Sequence, residues 1–222
     1  MNDEPERHSR AIEVDLITDP AERTRQEARN GLRQFDEVIE QIQYSLQPER
    51  QPFRLRPSVI LSLHRKALEG ISAFAGVWRP AAIEIGGSRH KPPEAYLVPG
   101  LIEEMCDYVN DNRSKSAVYL SAYTMWRTNW IHPFVDGNGR TARAVSYFAL
   151  CVRLGYRLPG TNTIPQQIAA NKQPYYEALE SADKAWSAQT IDVSRMEALL
   201  EACLANQLLS VLDEAKTSIK AQ

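Results

Sequence analysis

Two apolar helical runs, separated by a short segment crowded with charge, glycine and amide groups, constrain this chain more than anything else in it. Tyr119, Leu120, Ala122, Tyr123, Trp126 and Trp130 form the first run. Ala144, Val145, Tyr147, Phe148, Leu150, Cys151 and Leu154 form the second. Both have the spacing of buried helices. The segment between them reads His132-Pro-Phe-Val-Asp136-Gly137-Asn138-Gly139-Arg140-Thr-Ala-Arg143. A polar loop anchored at both ends by core helices is held rigidly enough to carry chemistry.

The residue types in that loop point to a polyphosphate. Gly137 and Gly139 let the main chain approach a ligand closely. Their N–H groups, with those opening the next helix, make a concavity of positive potential. Arg140 and Arg143, three apart, share one helix face and present two guanidinium forks. Asp136 is an oxygen ligand of the sort Mg²⁺ takes when phosphates complete its shell. His132 can accept a proton near neutral pH. The cluster holds no evident nucleophile, so the chemistry implied is group transfer to a hydroxyl supplied from elsewhere.

These residues closely resemble the active-site motif of the Fic (Fido) family of protein adenylyltransferases, His-Pro-Phe-x-Asp/Glu-Gly-Asn-Gly-Arg-x-x-Arg, with every specified position present. The resemblance implies ATP as substrate and Mg²⁺ as cofactor. His132 would be the base that deprotonates a Tyr, Thr or Ser hydroxyl of a target protein. Phe134 would anchor the loop and Asp136 would hold the metal. Gly137, Asn138 and Gly139 would cradle the phosphates, and Arg140 and Arg143 would orient the β- and γ-phosphates. Relatives named Doc carry Ala-Asn-Lys in place of Gly137-Asn138-Gly139 and transfer the terminal phosphate; Gly139 therefore favours AMP transfer. The rival readings are removal of AMP or passage of another phosphate-linked group at the same site, and a nucleotide-binding regulatory module without turnover.

Composition matches an ordinary soluble protein. Of 222 residues, 43% are hydrophobic and 24% charged, and the net charge is −2. That balance gives no reason to expect nucleic acid or an anionic membrane as partner. No apolar run has the length of a membrane span, and the acidic Met1-Asn2-Asp3-Glu4 is unlike a signal peptide. Cys106, Cys151 and Cys203 are far apart within apolar helical patterns, as reduced core thiols of a cytoplasmic protein would be. The four histidines lack zinc-ligand spacing.

Along the chain, residues 1 to about 18 are expected to be a mobile lead-in. Asp19-Pro20 then predicts an N-cap and first helical position. The helix should run to about Gln47 with Ala28, Leu32, Phe35, Ile39, Ile42 and Leu46 as its buried stripe. Ser58–Glu69 reads as a second helix, with Val59, Ile60, Leu63 and Ala67 inward. Ile83-Glu84-Ile85 alternates before a Gly86-Gly87 turn. With Ser88, His90, Pro92 and Pro93, it resembles the β-hairpin flap that covers the site in Fic proteins. Ile83, Glu84, Ile85 and Gly86 would pair with an extended target segment, whereas His90 reads as a surface residue without a catalytic role. Further helices should open at Val98-Pro99, at Thr163-Ile164-Pro165, near Pro174 and after Asp192. Tyr175 and Tyr176 are candidates to enclose the adenine, Tyr175 being the nucleotide-binding choice. The buried side of the last helix should be Met196, Leu199, Leu200, Cys203 and Leu208.

The expectation is an all-α Fic fold of about eight helices with one short β-hairpin flap. Residues 1–50 would form an N-terminal extension with one amphipathic helix, 51–190 the core, and 191–222 a C-terminal helix packed on it. Many Fic proteins are restrained by a Ser/Thr-x-x-x-Glu-Gly/Asn helix whose Glu pairs with the second motif Arg, here Arg143. The nearest approach to that pattern is Arg65-x-x-x-Glu69-Gly70, which lacks the hydroxyl. The inhibitory Glu is therefore expected from a separate antitoxin-like chain, or else from the first helix through Glu27, Glu37 or Glu40. The oligomeric state is left open, a homo-oligomer included.

Overall fold

Asp19 ends the lead-in and starts the first helix as expected: its carboxylate accepts a 2.6 Å hydrogen bond from the Glu22 N–H, and Pro20 takes the first helical position. The computed structural model describes residues 15–86, 88 and 90–220; the lead-in over residues 1–14, and Gly87 within the flap, lie outside the described residues. Eight α-helices follow one another among the described residues. They are α1 (Pro20–Ser45), α2 (Pro57–Leu68), α3 (Val98–Asp111), α4 (Ala117–Ile131), α5 (Asn138–Leu154), α6 (Ile164–Ala170), α7 (Gln173–Ser187) and α8 (Ser194–Lys220). The fold is all-α.

Helices α4 and α5 share the most extensive interface and form the centre. Ser121 and Ser146, both fully buried, face each other across it. Each hydroxyl lies within hydrogen-bonding distance of the other residue's carbonyl oxygen, at 2.9 and 3.0 Å. Small side chains let the two backbones come this close, and the bonds satisfy the polar groups that the approach buries. Around this pair, Ile60, Leu63, Ile102, Met105, Trp126, Phe134 and Phe148 make one continuous core.

The buried face of α1 is the predicted stripe in its later turns, where Ile42 is buried and Phe35, Ile39 and Leu46 pack against the core, but not in its earlier ones, where Ala28 and Leu32 are exposed. Leu32 is 71% exposed, while Asn30, Gln34, Val38 and Ile42 face inward. The two amides replace apolar contact with hydrogen bonds to carbonyls within α2 and just beyond its end. Asn30 Nδ2 donates to Ala67 O and Glu69 O at 3.2 and 2.8 Å, and Gln34 Nε2 donates to Leu63 O at 3.1 Å. A polar side chain with its partners met can be buried as well as a leucine. Helix α8 repeats the lesson. Leu208 is partly exposed and Gln207 is fully buried. Gln207 accepts from Ile164 N–H at 3.1 Å and donates to Pro159 O at 2.8 Å.

The expected β-hairpin is not formed as a ladder among the described residues. Residues 82–85 run without strand pairing into a turn at Gly86, where Ser88 N–H donates to Ile85 O at 3.2 Å. Pro92 and Pro93 supply no N–H to a second strand, and an isolated two-stranded ribbon is marginal in water. The segment remains a flap by position, over the cavity described next.

Candidate active site

The loop joining α4 to α5 is built on a left-handed residue. His132 caps α4 with φ 50° and ψ 60°, a conformation that costs a non-glycine residue about 1–2 kcal/mol. Pro133 and Phe134 then turn the chain inward, and the Phe134 ring is fully buried. Asn138 locks the turn by a reciprocal pair: Phe134 N–H donates to its Oδ1 at 2.9 Å, and its Nδ2 donates to Phe134 O at 2.8 Å. The Asn138 side chain is thus spent on the loop, and only its main chain is left for a ligand.

Gly137 is needed for shape. Its φ is +74°, and a Cβ there would come within 2.7 Å of Leu68 Cδ2. Its N–H is already held by Asp136 Oδ1 at 2.6 Å. The first intrahelical bond of α5 runs from Thr141 N–H to Gly137 O, at 3.0 Å. The N–H groups of Asn138, Gly139 and Arg140 therefore point out of the helix start without intrahelical acceptors, an anion-binding terminus.

His64, on α2, supports this loop from below. Its ring stacks on Phe134 at 3.6 Å between centroids and 5° between planes. Gly76 N–H donates to His64 Nδ1 at 2.9 Å, so Nδ1 is the bare nitrogen. Nε2–H then donates to Asp136 O at 3.0 Å. Burial lowers the His64 pKa to about 4, which keeps this tautomer neutral. The sequence reading passed over His64; a lone imidazole on the apolar face of a helix was the available signal.

The surfaces meet in a cavity of about 730 Å³. His132, Asp136, Gly137, Asn138, Gly139, Arg140 and Arg143 line its floor, and Ile83, Glu84, Ile85 and Gly86 one wall. Tyr175 and Tyr176 from α7 also reach it. Tyr175 is only 2% exposed and its phenol is pushed up to about 12 by burial, whereas the Tyr176 ring is 47% exposed. His90 lies on the same wall, with its Nε2 2.7 Å from Trp130 O.

His132 carries its proton on the nitrogen away from chemistry. Nδ1 lies 3.3 Å from Asn129 O, and a carbonyl only accepts, so Nδ1 is the donor and Nε2 keeps its lone pair. Burial, with smaller opposing and reinforcing charge effects, lowers the pKa to about 4. The imidazole is therefore a neutral acceptor through the physiological range. Burial also lowers the pKa of the Arg143 guanidinium, which makes no ion pair among the described residues.

Helix α1 reaches this floor as well. Arg23 Nη2 donates to Asp136 Oδ2 at 3.1 Å, Arg23 Nε to Glu27 Oε1 at 3.2 Å and Arg23 Nη1 to Asp15 Oδ1 at 2.6 Å. Glu27 Oε2 lies 3.5 Å from Arg140 Nη2. Of the glutamates considered from sequence, Glu37 instead accepts from Gln41 and Ser62, Glu40 is exposed, and Glu69 lies 4.0 Å from Arg33.

A family model described as Fic/DOC family matches residues 54–150, the span that holds α2 to α4, the loop and most of α5. Over that span the chain is similar to the Fic/DOC family. Curated relatives named protein adenylyltransferase Fic, from Drosophila persimilis and Drosophila willistoni, are each 34% identical to it over 128 residues, 56% of this chain. The chain spans only 23% and 24% of their lengths. Among solved structures, Fic-1 (residues 134–508) from C. elegans superposes with a TM-score of 0.68 at 21% identity, covering 91% of this chain and 55% of that one. The N-terminal Fic domain of a Bep effector from Bartonella quintana, solved with bound ADP, superposes at 0.58 and 16% identity, covering 90% and 92%. These two likenesses show that the Fic fold extends over the described helices beyond the matched span.

Proposed function

We propose that this Fic domain transfers AMP from ATP to a hydroxyl of a protein target. The observation that carries the reading is His132. Its unprotonated Nε2 belongs to a ring lining the same cavity as an unpaired helix N-terminus and two guanidiniums. The target hydroxyl gives its proton to Nε2 as its oxygen attacks the α-phosphorus. The bond from the α-phosphorus to the bridging oxygen breaks, and pyrophosphate leaves. The N–H groups of Asn138, Gly139 and Arg140 face the phosphate charge, and Arg140 and Arg143 hold the leaving group. Tyr176 offers an open ring face to the base, and Tyr175 backs it.

Asp136 fits Mg²⁺ of the kind that arrives with a nucleotide. It gives one carboxylate at the cavity floor, and a cation, the Arg23 guanidinium, already sits against it. No cluster of three or more metal-ligating side chains exists among the described residues, which suits an ion whose shell is completed by phosphates and water. Bound there, the ion would neutralise phosphate charge.

The ion pairs of α1 support an internal restraint over a separate inhibitory chain. Arg23 covers the metal carboxylate and Glu27 occupies a phosphate arginine, so a nucleotide must displace both. A glutamate beside the site also favours removal of AMP as a second reading, with Glu27 positioning water. The division into an N-terminal extension over residues 1–50, a core over 51–190 and a C-terminal helix over 191–222 remains part of this proposal, as does a target bound along Ile83–Gly86. Three free, buried cysteines support a cytoplasmic setting. No helix among the described residues is long and apolar enough to cross a membrane.

His132→Ala should abolish transfer of label from ATP to target proteins while ADP binding persists. Continued labelling by that variant would overturn the assignment of the base.

A further inference from the structure

Arg79 lies between Trp78 and Pro80, outside the motif, and is 3% exposed. Its guanidinium is met by three carbonyl oxygens. Nε donates to His132 O at 2.8 Å, Nη1 to Ala81 O at 2.9 Å, and Nη2 to Pro93 O. Its own N–H donates to Pro133 O at 2.9 Å. Among the described residues no carboxylate lies within ion-pair distance. Burial lowers its pKa, and the more distant Glu94 carboxylate opposes that shift only in part.

These partners belong to two different parts of the machinery. His132 and Pro133 are the start of the catalytic loop. Ala81 and Pro93 are the two feet of the flap, on either side of residues 83–86. One planar fork therefore bonds the strained left-handed residue that carries the base to both ends of the segment that would hold a target. A left-handed non-glycine residue persists only where its surroundings over-determine it, and here the carbonyl of that residue is fixed from outside the loop. A lysine has charge but no planar fork, and cannot reach three diverging carbonyls with the same geometry.

We propose that Arg79 is a positioning residue that sets the distance between the target-binding flap and the His132 imidazole. The inference rests on the reading of this site as an AMP transferase. Its prediction for phosphate binding is separate: Arg79 touches no phosphate-facing group, so nucleotide affinity should not depend on it.

The test compares wild type with Arg79→Lys and Arg79→Gln by three measurements. Backbone amide order parameters should fall together in the flap (residues 81–86) and in the loop (Phe134 and Val135), with α5 unchanged. ADP affinity in the presence of Mg²⁺ should stay within about twofold of wild type, as for sites without shared partners. Transfer should lose about 100-fold in kcat/KM through both kcat and target KM, the scale of a misplacement near 1 Å. Lowered order in only one of the two segments, or in neither, overturns the proposal. So does an equal loss of ADP binding. Failure of wild type to transfer AMP would sink the functional reading while leaving the order parameters to judge Arg79. If neither variant folds, the wild-type Arg79 Nε–H decides by NMR. A slowly exchanging resonance with contacts to both Ala81 and His132 supports the proposal, and a rapidly exchanging one refutes it.

Discussion

Removing the two side chains that α1 lays across the site should tighten nucleotide binding. The double variant Arg23→Ala/Glu27→Ala frees Asp136 and Arg140 together. The side chains of Arg23 and Asp136 are 27% and 38% exposed, and those of Arg140 and Glu27 are 28% and 33% exposed, so both pairs are well screened by solvent. Pairs of this kind contribute about 0.2–1 kcal/mol each. Arg23 is also shared with Asp15, the largest influence raising its pKa, which dilutes its hold on Asp136. A nucleotide with Mg²⁺ must break both pairs, so the variant should bind ADP more tightly by about 0.5–2 kcal/mol, roughly 2- to 30-fold. Calorimetric titration at low and high salt measures this, and the gain should shrink as salt screens the wild-type pairs. Glu27→Ala alone should tighten ADP binding without easing the metal requirement, because Arg23 still covers Asp136. Unchanged or weaker binding by the double variant would refute the idea that these contacts oppose the ligand. Substitution is a cleaner test than deletion of residues 1–50, since Val38 and Ile42 of the same helix are part of the core.

Acid should destabilise the fold through two imidazoles that desolvation keeps neutral, the buried His64 and the partly buried His132. His64 and His132 have folded pKa values lowered from 6.5 to about 4, so the unfolded chain binds more protons between those limits. Stability should be full above about pH 6.5 and fall towards pH 4, by up to about 3 kcal/mol per residue. Denaturant melts at pH 7.5 and 4.5 measure it, with His64→Gln expected to flatten the dependence; a wild type no less stable at pH 4.5 contradicts it. Asn138→Ala should lower stability by about 2–4 kcal/mol, because it strands the buried N–H and C=O of Phe134. A loss below about 0.5 kcal/mol in equilibrium unfolding would mean that the loop keeps its turn without that amide.

Much of the site was legible because its signals are local. The motif lies within twelve consecutive residues, His132 to Arg143, between helices whose apolar spacing announces them. Short-range rules also read the Asp19 cap and the Thr163 start of α6. Where hydrophobicity alone was used to choose a face, it failed at Leu32 and Leu208. The inward positions belong to Asn30, Gln34 and Gln207, whose amides are satisfied by carbonyls and N–H groups far along the chain.

The amino-acid sequence by itself determined the helices, the loop between α4 and α5, and the chemistry that the loop can offer. Tertiary structure alone decided what surrounds that loop. Arg23 meets Asp136 across 113 residues, Arg79 meets His132 across 53, and His64 meets Asp136 across 72. A charged or polar side chain shows in sequence only that it needs a partner. Which partner it finds depends on how the helices pack, because hydrogen bonds and ion pairs act over a few ångströms in space, whatever the separation along the chain.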